Sequence, residues 1–228
     1  MKIVLLGASG MVGQGVLREC LLDPEVEQVL CIGRSSLGRS ESKIRELVTA
    51  NLADLSNVEG ELSGYDACLF CLGVSAAGMS EADYRRTTYD LTLSVAKTLL
   101  KQNPGLSFLY VSGAGTDSSE RGRAMWARVK GATENALLSL PFKDAYMFRP
   151  GVIQPLHGVR SKTALYQFFY STFGLLIPVV KALFPNSVMS TEELGLAMIR
   201  VAKYGSPKRV LEASDVNTLL KAAKPAAG

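Results

Sequence analysis

The sequence has few of the residues from which many functional sites are built. Its 228 residues include one histidine, one tryptophan and four cysteines, which is too little for a histidine-rich metal site or a disulfide framework. Twenty-five scattered basic side chains against 21 acidic ones give a formal charge of +4. We therefore expect no nucleic-acid partner, because that requires a clustered basic face. With 47% hydrophobic and 20% charged residues, the composition indicates one globular domain over residues 1–228.

Long apolar segments are also missing. The apolar start Lys2–Leu6 reaches Gly7 too soon for a signal peptide, and the cysteines suit a reducing compartment, so we expect a cytoplasmic protein. The stretch Leu165–Pro185 contains polar residues and proline, so it lacks the roughly 20 apolar residues that span a bilayer. Its aromatic side chains could line a substrate pocket, meet a membrane surface or a protein partner, or pack against the sheet.

A C-x-x-C pair has the spacing of a metal or redox motif. Cys68 and Cys71 lie inside the apolar run Ala67–Leu72, and no second pair accompanies them. Because residues three apart in a strand point to opposite faces, the two thiols would point apart. We interpret the run as a buried strand and expect no metal site.

Short apolar runs alternate with longer helical patterns through most of the chain. The runs are continuous, which indicates strands covered on both faces in a parallel sheet. This order predicts an α/β fold with a doubly wound parallel sheet of the Rossmann type. The predicted strands are Lys2–Leu6, Gln28–Ile32, Arg45–Ala50, Asp66–Leu72, Ser107–Ser112, Asp144–Phe148 and Arg209–Glu212. The predicted helices are Val12–Leu22, Glu81–Gln102, Arg123–Ser139 and one from Thr191 to about Gly205.

The alternation of strand and helix patterns stops after Gly151. Thr191 precedes Glu192 and a series of apolar residues at helical spacing, a pattern typical of a capped amphipathic helix. We expect residues 155–208 to contribute a small helical C-terminal cap on the substrate side of the single domain.

A glycine-rich turn follows the first predicted strand and opens the first helix. The segment Gly7–Gly13 reads G-A-S-G-M-V-G. Its glycines permit a tight turn and let backbone N–H groups approach a pyrophosphate, while the helix N-terminus supplies the positive end of its dipole. No Walker lysine is present, so a P-loop NTPase is disfavoured. We predict a dinucleotide-binding loop.

The end of the second strand carries a basic residue where NAD-binding proteins place an acid. Arg34 follows Gly33, with Ser35, Ser36 and Arg39 close behind and no acid adjacent. A guanidinium at this point can bind the 2′-phosphate of an adenosine ribose. The sequence therefore favours NADP(H) over NAD(H).

Several motifs occur in order along residues 1–155. They are G-A-S-G-M-V-G at 7–13, I-G-R at 32–34, C-L-G at 71–73, V-K-G at 129–131 and F-R-P-G-V at 148–152. In these motifs the chain resembles the short-chain dehydrogenase/reductases, and within them the atypical, NAD(P)-binding, epimerase-like branch. It is most similar there to the Tat-interacting-protein type of oxidoreductase-like proteins. The motifs are specific for fold and cofactor more than for a reaction.

The resemblance implies a role in NADP(H) binding for each motif. The residues implied at the pyrophosphate are Gly7, Ser9, Gly10, Met11, Val12 and Gly13. Arg34 would bind the 2′-phosphate. The other implied cofactor residues are Asn51 and Leu52 beside the adenine, Cys71, Leu72 and Gly73 under the adenosine ribose, Ser112 and Lys130 at the nicotinamide and its ribose, and Pro150, Gly151 and Val152 at the carboxamide. Ser112 and Lys130 are also the implied catalytic residues.

The chain departs from the family at the residue that exchanges a proton. The family signature has a tyrosine four residues before the lysine, on the same helix face, where the lysine lowers the tyrosine pKa. Here the residue four before Lys130 is Trp126, and an indole N–H cannot act as an acid and base. Gly113 also stands where related proteins often have a second hydroxyl residue.

Other side chains could replace the missing phenol. Within this helix no tyrosine is available, so Tyr84, Tyr89 or Thr116 could serve from other segments, or a water could relay a proton from Ser112. Alternatively, the reaction needs little proton assistance, or the protein binds NADP(H) without turnover.

Two further residues are weaker candidates. His157 is either a surface histidine or a titratable group near the nicotinamide, and Asp90 is either a helix-surface acid or part of an active-site water network. A Ser-His-Asp hydrolase is disfavoured because the sequence has no G-x-S-x-G elbow.

The sequence thus predicts an NADP(H)-binding oxidoreductase or epimerase-like protein acting on a small, partly apolar carbonyl or alcohol. The alternative is a catalytically silent NADP(H)-sensing binding or scaffold protein.

Overall fold

A computed structural model of the chain describes residues 1–158 and 188–222, which contain nine strands. These are β1 (Lys2–Leu6), β2 (Gln28–Gly33), β3 (Ile44–Val48), β4 (Ala67–Phe70), β5 (Ser107–Val111), β6 (Asp144–Arg149), β7 (Val152–Gln154), β8 (Val188–Ser190) and β9 (Val210–Glu212). Seven form one sheet in the order β3-β2-β1-β4-β5-β6-β9, and every neighbouring pair is parallel. The predicted doubly wound Rossmann-type sheet is confirmed. β7 and β8 form a separate parallel pair.

The strand order reverses at β1. β2 and β3 lie on one side of β1, whereas β4, β5 and β6 lie on the other. Sheets of this kind bind ligands outside the carboxyl ends of the strands at the reversal point. Here those ends are followed by Gly7, after β1, and by Cys71, after β4.

Helices cover both faces of the large sheet. They are α1 (Met11–Leu22), α2 (Glu81–Arg85), α3 (Leu91–Gln102), α4 (Met125–Ser139), α5 (Thr191–Tyr204) and α6 (Ala213–Lys221). A π-helical turn, Arg86–Asp90, joins α2 to α3 without a break, and a 3₁₀ helix spans Ser56–Glu61. The predicted helix Glu81–Gln102 is therefore one continuous element with a wider turn inside it.

Alternate residues of β1, an interior strand of the sheet, pack into different cores. Ile3 and Leu5 face the layer that contains α1 and α5, whereas Val4 and Leu6 face the layer that contains α3 and α4. All four side chains are fully buried. Because successive side chains of a strand point to opposite faces, a strand apolar at every position must be covered twice.

Helix α5 packs closely on α1. A Cβ atom built on Gly15 of α1 would lie 2.5 Å from the Cβ of Thr191, so this position admits no larger residue. A capping box starts α5: the Glu193 N–H donates to the Ser190 hydroxyl, and the Ser190 N–H donates to the Glu193 carboxylate. Thr191 to Tyr204 therefore belong to the helix layer of the sheet rather than to the expected cap. The rest of the predicted cap, including 165–185, falls mostly outside the described residues.

Several element boundaries differ from the sequence-based expectation. The third strand runs from Ile44 to Val48 rather than to Ala50, and α4 begins at Met125 rather than Arg123. The residue before the helix, Ala124, has an extended backbone, and the Arg128 guanidinium donates to the carbonyls of Gly122 and Arg123 just before it. The short strands β7 and β8 and the helix α6 were not predicted.

The two cysteines of the C-x-x-C pair point to opposite faces of the sheet, as expected for a buried strand. Cys68 belongs to the layer with α3 and α4, and Cys71 packs against the layer with α1 and α5. All four cysteines are free. Within residues 1–158 and 188–222, no group of side chains could hold a metal ion, and no helix is long and apolar enough to span a membrane.

Candidate functional site

The glycine loop is shaped by two backbone approaches that leave no room for a side chain. Gly7 has a φ of +86°, and a Cβ there would lie 2.7 Å from the Cys71 carbonyl carbon. A Cβ on Gly13 would lie 2.0 Å from the Gly7 carbonyl oxygen. The end of β1, the end of β4 and the first turn of α1 are thus in direct backbone contact, which requires glycine at both positions.

The N-terminus of α1 is available to an anion. The Gly10 N–H donates to the Gly7 carbonyl at 2.8 Å and closes the turn. Among the described residues no side chain caps this helix, and its first turn contains no acidic residue. The free N–H groups and the positive end of the helix dipole suit a pyrophosphate. The loop therefore fits the dinucleotide that the sequence predicts.

A groove of about 170 Å³ continues from this loop across the end of β2; we refer to it as the adenosine side. Its lining residues are Gly7, Ala8, Ser9, Cys31, Ile32, Gly33, Arg34, Ser35, Leu37, Glu46, Leu52 and Leu72. Five of the predicted cofactor residues, Gly7, Ser9, Arg34, Leu52 and Leu72, therefore meet in one cavity. Asn51 does not line it; its side chain accepts a hydrogen bond from the Ala53 N–H at 3.0 Å.

Glu46 is a lining residue that the sequence reasoning missed. That reasoning considered only acids adjacent to Arg34, whereas Glu46 comes from β3, where it pairs with Cys31 of β2. The Glu46 carboxylate accepts a hydrogen bond from the Leu37 N–H at 2.9 Å. The groove thus contains a carboxylate as well as the guanidinium of Arg34, and only knowledge of the β2–β3 pairing could have placed it there.

The second part of the site lies after β5 and on α4; we refer to Ser112, Thr116, Trp126 and Lys130 as the nicotinamide side. The hydroxyls of Ser112 and Thr116 share a hydrogen bond of 2.9 Å, and both residues are buried. Thr116 also donates to the Gly113 carbonyl at 2.8 Å. Thr116, one of the three side chains proposed to replace the phenol, thus contacts Ser112 directly.

Burial changes the acidity of Lys130. Its ammonium donates to the Ser112 carbonyl at 3.2 Å and lies 5.5 Å from the centre of the Tyr110 ring. Loss of hydration lowers the pKa of Lys130 to about 8, and the nearby Glu134 carboxylate partly opposes the shift. Lys130 therefore titrates much closer to neutral pH than an exposed lysine does.

Trp126 occupies the helix position one turn before Lys130. Its ring lies against the turn after β5, since a Cβ on Gly115 would be 3.5 Å from the indole. Of the two tyrosines proposed as substitutes, Tyr84 is buried, and the ring of Tyr89 lies with its centre 4.0 Å from the Arg85 guanidinium. The described part of the site thus brings hydroxyls and an ammonium together, and the indole of Trp126 stands at the helix position where the family has its phenol.

Arg149 fixes the turn that borders the nicotinamide side. Its guanidinium binds the fully buried Glu134 of α4 through two hydrogen bonds and reaches Glu212 at 3.2 Å. The carbonyl of Pro150 then accepts a hydrogen bond from the Ala114 N–H at 2.8 Å. This ion pair was not predicted, because Glu134 lies in a helix pattern without any local feature that distinguishes it.

The weaker candidates His157 and Asp90 and the predicted carboxamide residue Val152 are all exposed to solvent. His157 pairs with Glu192 in the first turn of α5, and about two fifths of its side chain is exposed, at 41%. Asp90 is an exposed residue of the π-helical turn. Val152, predicted to border the carboxamide, is 41% exposed in β7.

Together, the sheet order and the glycine turn define a dinucleotide-binding protein of the Rossmann class. A family model described as "NAD dependent epimerase/dehydratase family" matches residues 3–121. The chain belongs to this family. The predicted resemblance to atypical short-chain dehydrogenase/reductases is confirmed, as is the prediction of an NAD(P)-dependent, oxidoreductase-like protein.

Curated relatives extend the likeness over most of the chain. Protein fmp52, mitochondrial, of Emericella nidulans is 27% identical over 76% of this chain and 76% of its own length. Protein HTATIP2 of Rattus norvegicus is 29% identical over 67% of this chain and 62% of its own length. Several fungal relatives are named mitochondrial, which contradicts the expectation of a cytoplasmic protein; that expectation was wrong.

Solved structures share the fold. An oxidoreductase of the short-chain dehydrogenase/reductase family from Burkholderia thailandensis superposes with a TM-score of 0.68 at 12% identity, over 95% of this chain and 92% of that one. The Bordetella bronchiseptica enzyme WbmF, in complex with NAD⁺, superposes with a TM-score of 0.65 at 15% identity, over 95% of this chain and 76% of that one.

Proposed function

We propose that the protein binds NADP(H) and catalyses an oxidoreductase or epimerase-like step on a small, partly apolar carbonyl or alcohol. The observation that carries the proposal is the meeting of Ser112, Thr116 and Lys130 at the same edge of the sheet as the glycine loop. A bound nicotinamide would supply or accept the hydride. The chain's own residues bind the nucleotide, orient the carbonyl and move a proton.

Backbone N–H groups and a charged side chain bind different parts of the cofactor. The N–H groups at the start of α1 bind the pyrophosphate, and Arg34 at the rim of the groove binds the 2′-phosphate of NADP(H). Arg34 is suited to this role because no described residue forms an ion pair with it. Leu52 and Leu72 cover the adenine and ribose with apolar surface.

Substrate chemistry falls to the nicotinamide side. Lys130 holds the nicotinamide ribose, as the family pattern implies, and Ser112 donates a hydrogen bond to the substrate oxygen. The Thr116 hydroxyl donates its one proton to the Gly113 carbonyl, so this proton must first turn toward Ser112. Ser112 can then give its own proton to the substrate oxygen as the hydride arrives, Thr116 replaces that proton, and solvent returns one to Thr116. Trp126 cannot supply this proton, because an indole N–H does not ionise near neutral pH.

Trp126 also supports a second candidate function. Where a phenol normally acts, the chain offers an aromatic ring without an ionisable proton. The alternative is therefore a protein that binds NADP(H) without turnover and responds to it as a sensor or scaffold.

Titration with NADPH and NADH tests both candidates. Energy transfer from Trp126, the lone tryptophan, reports binding, because the proposed nicotinamide position lies beside its ring. NADPH is expected to bind more tightly than NADH, and Arg34→Ala to weaken NADPH binding about tenfold while NADH binding stays within about twofold.

Arg39→Ala is the matched control, because Arg39 lies in the same loop but pairs with Glu41 and does not line the groove. Binding of neither nucleotide to the unmodified protein would overturn the proposal. If NADPH binds, assays with a panel of carbonyl compounds distinguish the two candidates: an enzyme oxidises NADPH with at least one of them, whereas a silent binding protein oxidises it with none.

A further inference from the structure

We propose that Glu46 is the acidic residue of the adenosine-ribose site and that it reduces the preference for NADP(H) that Arg34 creates. The inference rests on the proposed nucleotide binding in this groove. It adds a specificity-determining residue on β3, whereas the sequence pattern draws attention only to the end of β2.

The sheet register places the two opposite charges around one cavity. Glu46 pairs with Cys31 in the β2–β3 ladder, and Arg34 follows the last residue of β2. Both residues line the groove, together with Ser35 and Leu37 from the connecting loop. A nucleotide whose adenosine end enters the groove must therefore meet a guanidinium and a carboxylate.

Glu46 has hydrogen-bonding capacity to spare. One carboxylate oxygen, Oε2, accepts from the Leu37 N–H, whereas Oε1 accepts no hydrogen bond from any described residue. A carboxylate with a free oxygen can accept a hydrogen bond from a ribose 2′-hydroxyl. The same carboxylate repels a 2′-phosphate, which carries negative charge.

No described cation neutralises Glu46. Its neighbour in the strand, Arg45, forms an ion pair with Glu61 of the 3₁₀ helix instead. Arg39, in the preceding loop, is paired with Glu41. Among the described residues, the charge of Glu46 therefore has no ion-pair partner, and Glu46 lines the groove that a nucleotide would enter.

Glu46 also holds the loop that carries Arg34. The hydrogen bond from the Leu37 N–H to Glu46 anchors the loop. A substitution of Glu46 that breaks this bond would therefore remove the negative charge and also shift the position of Arg34. Glu46→Gln separates these effects, because the amide oxygen can still accept from Leu37 while the negative charge is gone. Glu46→Ala removes both.

The test uses ADP and 2′,5′-ADP as probes, measured by calorimetry, because they occupy the adenosine side without the nicotinamide side. Glu46→Gln is expected to raise the preference for 2′,5′-ADP over ADP about tenfold, the size of one partly screened charge interaction. Glu61→Gln makes the same charge change outside the groove and is expected to alter the preference less than about twofold. An unchanged preference in Glu46→Gln, or an equal rise in Glu61→Gln, would overturn the inference.

The unmodified protein provides a second measurement that does not depend on a variant folding. If Glu46 opposes the phosphate, both probes bind, with a preference for 2′,5′-ADP below about thirtyfold; a larger preference counts against Glu46. Binding of neither probe, with neither NADPH nor NADH bound, overturns the proposed function itself. Binding of both probes with no response to Glu46→Gln overturns only the role of Glu46.

Discussion

The adenosine side and the nicotinamide side of this site are built from different materials. The adenosine side depends on backbone atoms of the Gly7–Gly13 loop, whose packing admits no side chain at two positions. The nicotinamide side depends on individual side chains, and there Trp126 stands in the place of the family's phenol. Backbone geometry that a fold needs for its own packing persists, whereas a proton donor can be replaced without disturbing the sheet. Binding and chemistry are thus separable in this protein.

A substitution in the glycine loop of the adenosine side should cause the largest loss of stability and of nucleotide binding. In Gly13→Ala the new Cβ would meet the Gly7 carbonyl, and neither backbone atom can move without displacing β1 or α1. We expect a loss of about 3 kcal/mol in the free energy of unfolding, measured in urea, and loss of nucleotide binding. Gly60→Ala is the control, because a Cβ there meets nothing within 4 Å, and it should change stability by less than about 0.5 kcal/mol. Full binding by Gly13→Ala would contradict the geometry of the loop.

Restoring the phenol would sharpen the comparison on the nicotinamide side. Trp126→Tyr places a hydroxyl one turn before Lys130, whose charge can lower the phenol pKa. Carbonyl reduction with NADPH is expected to rise about a hundredfold, the lower range of general acid catalysis. Trp126→Phe is the control, since it removes the indole without adding a proton donor. Equal rates for the two variants would show that the side chain at this position does not limit the reaction.

Replacing Lys130 should change the free energy of unfolding by a smaller amount, and the change should depend on pH. Its pKa is lowered to about 8 in the folded protein, from an ordinary value of 10.5, so between these pH values the unfolded chain holds a proton that the folded chain has released. The free energy of unfolding should therefore rise with pH in this window, by about 2 kcal/mol relative to Lys130→Met, and the difference should be constant below pH 8. Urea denaturation at pH 7 and pH 10 measures it.

Lys97→Met serves as the reference for that experiment, because Lys97 is an exposed residue of α3. Its difference from the unmodified protein should be the same at both pH values. A pH-independent difference for Lys130→Met as well would mean that the lysine is solvated in the folded protein.

The parts that sequence reasoning predicted are those encoded by neighbouring residues. The Gly7–Gly13 turn, the buried parallel strands and the spacing of Trp126 and Lys130 are local patterns, and the structure contains each of them. Thr116 was one of three side chains proposed to replace the phenol, and it contacts Ser112.

The parts that were missed depend on distant contacts. Glu46 reaches the groove only because β3 pairs with β2, and Glu134 becomes important only because Arg149 of another element binds it. The place of α5 was also missed, since an amphipathic pattern gives the apolar face of a helix but not the element that covers it. Its partner is α1, near the other end of the described chain.

The contact between α1 and α5 has a consequence for synthesis of the protein. On a growing polypeptide the glycine loop and α1 emerge well before residues 191–204. Until α5 docks, the small surface around Gly15 and the side chain of Glu19, only 5% exposed in the folded chain, face water. The helix that presents its N-terminus to the nucleotide therefore lacks the support of α5 until residues 191–204 have been synthesised, and nascent chains should become competent to bind nucleotide only after that point.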